Sequence, residues 1–196
     1  MPKLSAIILS GGRATRMGGL DKGLVQLQKK PLVQHVIERL NPQVDEILIN
    51  ANREIQQYSS FNLPILQDDD PNYIGPLAGF SLGLVHCKYD YLLTTPCDSP
   101  LLPNDLANRL MKSLINKSAE IAVAKSDGNA HPVFSLMNKS VLSSLLAYIR
   151  SGGRKVSTWQ KSLRYIEVEF DDCSEAFINL NTFEELNTLA LKLSND

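Results

Sequence analysis

The stretch that decides the fold is Leu9-Ser10-Gly11-Gly12-Arg13-Ala14-Thr15-Arg16-Met17-Gly18-Gly19-Leu20-Asp21-Lys22. It continues directly from the apolar run Ser5–Leu9, which predicts a buried strand because strands covered on both faces are apolar throughout. The glycines allow positive φ and let a ligand approach the backbone closely. Successive N–H groups in such a loop can hold phosphate oxygens, and the arginines and the lysine add positive charge. The stretch therefore predicts a strand followed by a triphosphate-binding loop.

Two familiar phosphate-binding motifs do not fit this loop. A P-loop ends in Gly-Lys followed by Ser or Thr, whereas here Gly18 is followed by Gly19 and Lys22 by Gly23. The dinucleotide fingerprint G-x-G-x-x-G is also absent. An ordinary glycine-rich turn with solvated arginines is the alternative, and the three cations in one loop favour phosphate binding over it.

Outward from the loop, apolar runs alternate with stretches of helical spacing. The further predicted strands are Glu46–Asn50, Pro64–Leu66, Tyr89–Thr95, Glu120–Ala124, Val133–Met137, Tyr165–Glu169 and Phe177–Leu180. Apolar stripes predict helices over 32–40, 106–115 and 141–149, with Asn104 as the N-cap of the second. Thr182 and Glu185 form a capping-box pattern that opens a last helix. This alternation predicts a three-layer, Rossmann-like α/β fold with a mostly parallel central sheet and ligands beyond the carboxyl ends of its strands.

Composition bounds the function. A chain of 196 residues suits one domain over 1–196, and a net charge of −1 argues against wholesale binding to nucleic acid or to an anionic membrane. Its three cysteines form no C-x-x-C pair, which fits a reducing cytosol and no zinc ribbon. The apolar run at the N-terminus is too short for a signal peptide or a membrane span, so we expect a cytoplasmic protein.

An aspartate follows the predicted strand Tyr89–Thr95, in the sequence Pro96-Cys97-Asp98-Ser99-Pro100. A carboxylate at the carboxyl end of a strand is well placed to hold Mg²⁺, which prefers one or two carboxylates together with waters and phosphate oxygens. The alternative is an Asx-turn in which Asp98 only organises its loop. A phosphate loop at the first strand favours the metal site.

Other polar groups follow two neighbouring strands. Asn50 ends one predicted strand, and Asp68 follows another, next to Asp69 and Asp70. A guanine base presents N–H donors that a carboxylate can accept, whereas an asparagine here could equally form only a turn. Asp69 and Asp70 are expected to be solvated charges, although three adjacent acids leave a second metal site open. His131-Pro132, predicted to lie in a loop, could face a second substrate.

Several motifs together resemble one family. L-S-G-G-R-A-T-R-M-G-G-x-D-K is similar to the signature loop of nucleotidyltransferases that act on sugar phosphates or use CTP. Lys30-Pro31-Leu32-Val33-Gln34-His35-Val36, Gly75-Pro76-Leu77-Ala78-Gly79 and Phe177-Ile178-Asn179-Leu180-Asn181-Thr182 resemble segments of the molybdenum cofactor guanylyltransferases, the MobA family. The resemblance covers nearly the whole chain and preserves the order of the motifs.

The resemblance implies a nucleotidyltransferase fold and the transfer of GMP from GTP to Mo-molybdopterin, with Mg²⁺ as cofactor. GTP would bind in the N-terminal half and the pterin in the C-terminal half, and proteins that handle molybdopterin or mature molybdoenzymes would be further partners. The implied catalytic residues are Arg16, Lys22 and Asp98, with Asp98 the metal ligand. The implied nucleotide contacts are Leu9, Ser10, Gly11, Gly12, Lys22, Asn50, Asp68 and Asp98. The implied pterin contacts are Arg154, Asn179 and Asn181.

Two other functions stay open at this point. The loop holds phosphates whatever the base, so a nucleotidyltransferase that uses CTP on a pterin, or that acts on a sugar or alcohol phosphate, has the same signature. A non-catalytic module that binds GTP without releasing pyrophosphate is the second alternative. Asn50, Asp68 and the context of Asp98 favour the guanylyl enzyme over the first alternative, and an assay for pyrophosphate release separates it from the second.

Overall fold

The computed structural model describes residues 2–10, 21–68, 75–180 and 182–194. Several of the predicted site residues lie outside these ranges, namely Gly11, Gly12, Arg13, Arg16, Asp69, Asp70 and Asn181. Leu9, Ser10, Lys22, Asn50, Asp68, Asp98, Arg154 and Asn179 lie within them.

The described residues form a seven-stranded sheet and a two-stranded hairpin. The strands are β1 (Ser5–Leu9), β2 (Gln26–Leu27), β3 (Lys30–Pro31), β4 (Glu46–Asn50), β5 (Ile65–Leu66), β6 (Tyr91–Pro96), β7 (Ile121–Ser126), β8 (Asn129–Asn138) and β9 (Tyr165–Glu169). The sheet has the order β5-β4-β1-β6-β8-β7-β9. Within the seven-stranded sheet only β8 runs antiparallel to its neighbours among the described strands, so the predicted mostly parallel sheet is confirmed.

Helices cover both faces of this sheet. They are α1 (Leu32–Leu40), α2 (Ile55–Ser59), α3 (Pro76–His86), α4 (Leu106–Asn116), α5 (Leu142–Arg150), α6 (Val156–Gln160) and α7 (Phe183–Ser194). Side chains alternate along β1, so that Ala6 and Ile8 pack with α1 and α4 while Ile7 packs with α3, α5 and α6. The predicted three-layer architecture is confirmed. None of the helices in the described ranges is long and apolar enough to cross a membrane.

The order of the strands reverses at β1. From β1 the chain builds β4 and β5 on one side, then returns through α3 to place β6 on the other side. Two connections that leave in opposite directions open a crevice beyond the carboxyl ends of β1 and β6, where ligands of such sheets bind. The fold thus directs the search for a site to the residues that follow these strands.

Three local predictions are wrong. Phe177–Leu180 is not a strand: a 3₁₀ segment covers Asp171–Phe177, and the Phe177 ring packs against Phe134 and Phe170 instead of leading into a ladder. Asn104 is not the N-cap of α4, because Asp105 takes that position and the Asn104 side chain accepts from Arg39 at 3.3 Å.

His131 and Pro132 lie in β8 rather than in a loop. The imidazole of His131 stacks on Phe177 with ring centroids 4.7 Å apart, and its Nε2 lies 2.8 Å from Ser126 Oγ. Burial lowers the pKa of His131, which favours its neutral form. In this structure the ring is therefore part of the packing between β8 and the 3₁₀ segment.

A small third hydrophobic core joins the region around the β2–β3 hairpin to the C-terminal helix α7. Leu186 of α7, together with Leu180, packs on Val25, Leu27 and Leu32 of the β2–β3 hairpin region. This hairpin comes directly after Lys22, so α7 supports the segment that carries a predicted catalytic residue. The two-residue strands are too short to carry a sequence pattern, and the hairpin was not predicted.

The predicted capping box of α7 is confirmed, and it allows a test of stability. The Thr182 N–H donates to Glu185 Oε2 at 2.9 Å, and the Glu185 N–H donates to Thr182 Oγ1 at 3.2 Å. We expect Thr182→Ala to lower the free energy of unfolding by about 1 kcal/mol, measured in urea, because an N-cap acceptor is lost. Thr188→Ala in the interior of α7 is the matched control and should be neutral or slightly stabilising. Equal effects of the two changes would contradict the capping role.

Candidate active site

Four strand ends meet at one edge of the sheet. The backbone ladder continues beyond them, with Ser10 N donating to Asn50 O at 2.8 Å, Cys97 N to Leu9 O at 3.2 Å, and Ala51 N to Leu66 O at 3.0 Å. The residues that follow β1, β4, β5 and β6 are therefore held side by side. Leu9, Ser10, Asn50, Asp68 and Asp98 all lie at this edge.

The structure brings Lys22 and Asp98 together across the crevice. Lys22 begins a 3₁₀ turn, Lys22–Leu24, which Asp21 caps by accepting from the Gly23 N–H at 3.1 Å. The Lys22 ammonium donates to Asp98 Oδ2. The Asp98 side chain is only 8 % exposed and that of Lys22 29 %, so the ion pair is largely shielded from water.

The Asp98 carboxyl group also suits a divalent cation. Its Oδ1 is buried and has no hydrogen-bond partner among the residues that the structure describes. An anionic oxygen in that condition is a fitting ligand for Mg²⁺, which takes one or two carboxylates and completes its shell with waters and phosphates. Within the described ranges no three His, Cys, Asp or Glu residues cluster as a metal site. The residues present therefore fit an ion held by Asp98 and by the phosphates of a nucleotide.

At the β4–β5 end of the same edge, amides hold a carboxylate. Asn50 Nδ2 donates to Asp68 Oδ1 at 2.9 Å, and Asn52 Nδ2 donates to Asp68 Oδ2 at 2.7 Å. The Asp68 N–H in turn donates to Asn52 Oδ1 at 2.7 Å. Neutral donors thus orient both carboxylate oxygens of Asp68, which is half-buried, and leave its negative charge in place.

Helix α3 approaches this edge closely. A Cβ added at Gly79 would lie 2.4 Å from Leu9 Cδ2 and 2.7 Å from Asn50 Oδ1, so any larger residue here would displace these two side chains. The motif Gly75–Gly79, which resembles a segment of the family, therefore packs against two predicted nucleotide contacts. The first turn of α3, which begins at Pro76, brings the positive end of the helix dipole toward this side of the sheet.

Of the predicted pterin contacts, Asn179 lies beside the Asp98 loop. Ser99 Oγ donates to Asn179 Oδ1 at 2.9 Å, and Leu180 N donates to Asp98 O at 3.2 Å. Arg154 is exposed, and it donates to the carbonyls of Ile149 at 3.3 Å and Gly153 at 2.8 Å. These bonds place Arg154 just beyond the end of α5.

Sequence reasoning missed three residues that shape the edge: Asn52, Asp21 and Tyr58. Asn52 lies two residues after Asn50, and this second amide in the stretch Asn50–Arg53 could have indicated a shared role for the two asparagines. No sequence pattern indicated a role for Tyr58, because the tertiary fold alone brings its hydroxyl to 2.5 Å from Asp21 Oδ1. Burial raises the pKa of Asp21, and the bonds from Tyr58 and Gly23 oppose that shift.

The sequence is similar to a known family along most of its length. The family model of the MobA-like NTP transferase domain matches residues 6–164. A molybdenum cofactor guanylyltransferase of Polynucleobacter asymbioticus is 48 % identical over 194 residues, which cover 97 % of each chain. One of Shewanella piezotolerans is 45 % identical over 193 residues, covering 98 % of this chain and 95 % of that protein.

Solved structures agree on the fold. Molybdopterin-guanine dinucleotide biosynthesis protein A of Archaeoglobus fulgidus superposes with a TM-score of 0.81 at 21 % identity, over 98 % of this chain and 100 % of that one. A nucleotidyl transferase of Methanothermobacter thermautotroptrophicus gives a TM-score of 0.77 at 16 % identity, over 99 % of both chains. The predicted resemblance is confirmed, and the chain belongs to the family of MobA-like NTP transferases.

Proposed function

We propose that this nucleotidyltransferase transfers GMP from GTP to the terminal phosphate of Mo-molybdopterin, forming molybdopterin guanine dinucleotide and pyrophosphate. The observation that carries the proposal is the Lys22–Asp98 ion pair at the crevice beyond β1 and β6. Relatives that are about half identical and nearly as long, such as the Polynucleobacter protein, are named molybdenum cofactor guanylyltransferase, which supports GTP and the pterin as the substrates.

The reaction exchanges one phosphorus–oxygen bond for another. An oxygen of the pterin's terminal phosphate forms a bond to the α-phosphorus of GTP, and the bond from that phosphorus to the β-bridging oxygen breaks. Pyrophosphate leaves with the electron pair. A phosphate monoester is already an anionic nucleophile, so the enzyme needs no strong general base and works by positioning and charge stabilisation.

Lys22 and Asp98 act at the triphosphate. An ammonium group has three donors, so Lys22 can hold Asp98 Oδ2 and also donate to a phosphate oxygen. Arg16 and the backbone of Leu9, Ser10, Gly11 and Gly12 complete the binding of the phosphates. Asp98, whose Oδ1 is buried without a partner among the described residues, would hold Mg²⁺, and the ion would supply charge neutralisation for the phosphate oxygens.

The two substrates lie on either side of Asp98. Asn50 and Asp68 contact the guanine, since the Asp68 carboxylate can accept the base's N–H donors. Asn179, Asn181 and Arg154 contact the pterin, and the bond from Ser99 to Asn179 links that side to the Asp98 loop. GTP thus occupies the N-terminal half and Mo-molybdopterin the C-terminal half of one domain. Proteins that handle molybdopterin or mature molybdoenzymes are the expected further partners.

Removing either member of the ion pair tests the catalytic assignment. We expect Lys22→Ala and Asp98→Ala to lower kcat by at least roughly 10²- to 10³-fold, because each removes an electrostatic contact to the reacting phosphates. The measurement is pyrophosphate release in the presence of molybdopterin at saturating GTP and Mg²⁺. Lys125→Ala is the matched control, because Lys125 is also ion-paired, 2.9 Å from Glu169, but lies on β7. Near-normal turnover by Asp98→Ala would contradict the metal assignment.

The selectivity of the enzyme for the base tests the role of Asp68, the carboxylate that Asn50 and Asn52 hold. Asn52→Ala removes two hydrogen bonds that orient Asp68. We expect the preference for GTP over ATP, as a ratio of kcat/KM, to fall by about tenfold, since a hydrogen bond to a charged group contributes about 1.5–3 kcal/mol. Asn116→Ala, at the exposed end of α4, is the control for loss of an asparagine. Unchanged selectivity in Asn52→Ala would show that Asp68 does not read the base.

Two assays separate this function from its alternatives. GTP with Mg²⁺ should raise the melting temperature more than CTP, ATP or UTP, because a ligand that binds only the folded state stabilises it. Pyrophosphate should appear only when molybdopterin is added. Stabilisation by CTP alone would identify a cytidylyl enzyme, and GTP binding without pyrophosphate release would identify a non-catalytic module.

A further inference from the structure

Behind the Lys22–Asp98 pair lies a buried hydrogen bond that the reaction as described does not use. The Tyr58 hydroxyl, on α2, donates to Asp21 Oδ1 at 2.5 Å. Tyr58 is 0 % exposed and Asp21 8 % exposed. A buried carboxylate is costly unless it is hydrogen-bonded, so the bond from Tyr58 helps to hold Asp21 in place.

The first neighbour is the turn that carries Lys22. The same Asp21 Oδ1 that accepts from Tyr58 also accepts from the Gly23 N–H at 3.1 Å. Leu24 N donates to Asp21 O at 3.1 Å, which closes the turn around Lys22. Because Asp21 Oδ1 is shared, the Tyr58 hydroxyl fixes the position of the cap and, through it, the backbone from which the Lys22 side chain extends.

The second neighbour is the segment that carries Asp98. A Cβ added at Gly23 would lie 2.4 Å from the Tyr58 hydroxyl oxygen, 3.3 Å from Cys97 Cβ and 3.4 Å from Cys97 Sγ. Tyr58, Gly23 and Cys97 therefore meet in one tightly packed place, and Cys97 directly precedes Asp98. One phenol group thus lies close to the chain on both sides of the ion pair.

The protonation states suit a fixed, unreactive support. Burial raises the pKa of Tyr58 well above its ordinary range, so the hydroxyl keeps its proton and acts as a donor. The group therefore has no acid–base part in the transfer and contributes through its geometry.

We propose that Tyr58 is a positioning residue for nucleotidyl transfer, which acts through Asp21 and Gly23 to hold Lys22 in register with Asp98. The inference rests on the proposed function, because it assigns a role to Tyr58 in the reaction of that same site. Removal of the hydroxyl leaves the ring in the core but frees the turn, so the Lys22 ammonium loses its alignment with the reacting phosphates.

The test is the variant Tyr58→Phe, assayed well below its melting temperature. We expect kcat to fall by roughly 10- to 100-fold, since small misplacements of a positioned group cost about that much. KM for GTP should change by less than about threefold, because the lost alignment matters in the transition state. Tyr165→Phe is the matched control: the Tyr165 hydroxyl lies 2.9 Å from a carboxylate oxygen of Glu167 on the edge strand β9, and its loss should leave kcat unchanged.

A double-mutant cycle separates positioning from general destabilisation. If Tyr58 acts through Lys22, adding Tyr58→Phe to Lys22→Ala should lower the residual rate by less than about twofold, measured with radiolabelled GTP over long incubations. A full additional loss in the Lys22→Ala background would overturn the inference, as would normal kcat in Tyr58→Phe alone. Should Tyr58→Phe not fold, Gly23→Ala displaces the same hydroxyl and is expected to lower kcat with GTP binding retained, and normal kcat there would overturn the inference.

The outcomes also distinguish this inference from the function beneath it. Normal turnover by Lys22→Ala would refute the catalytic assignment of Lys22 and, with it, the role of Tyr58. Loss of turnover in Lys22→Ala beside normal turnover in Tyr58→Phe would refute the role of Tyr58 alone and leave the proposed function intact.

Discussion

The ion pair between Lys22 and Asp98 joins positions 76 residues apart and sets a condition that the surrounding chain must meet. A carboxylate as buried as Asp98 is costly without a cation, and removing one member of such a pair leaves an uncompensated charge. The lysine must therefore arrive at a defined place, although its long side chain is flexible by itself. The cap by Asp21 and the bond from Tyr58 restrict the backbone on which that side chain moves.

The C-terminal part of the chain also helps to position the ion pair, because it contacts the loop that carries Asp98. Leu180 donates its N–H to Asp98 O and buries its side chain with Val25 and Leu27 of the hairpin after Lys22. The Asp98 loop is thus held by Lys22 through its side chain and by Leu180 through its backbone. Since Ser99 donates to Asn179 in the same loop, one of the predicted pterin contacts lies beside the segment that carries Asp98.

The parts of the structure that were predictable are those in which local pattern and tertiary role coincide. β1 and β4 are buried on both faces, so their continuous apolar runs were enough to predict them. The capping box of α7 was predictable because Thr182 and Glu185, which form its hydrogen bonds, are only three residues apart. Phe177–Leu180 has a similar apolar pattern but does not form a strand. The ring of Phe177 packs against other aromatic rings instead. Tyr58 and Asp21 are 37 positions apart, and no local pattern records a contact that depends on where α2 comes to rest.

Two carboxylates at one edge of the sheet have different kinds of hydrogen-bond partner, and this difference bears on the choice of base. Asp98 is paired with a cation, whereas Asp68 is oriented by the neutral amides of Asn50 and Asn52. A carboxylate has about four lone-pair sites, so two amide donors leave roughly half of them for a ligand, with the full charge retained. Guanine offers N–H donors to such a group, whereas the ring nitrogen of adenine at the same place is an acceptor and would be repelled. A site built to pair with donors rejects an analogue that lacks them more strongly than an apolar pocket does, so in the proposed enzyme the choice of base rests on the amides that hold Asp68 in place.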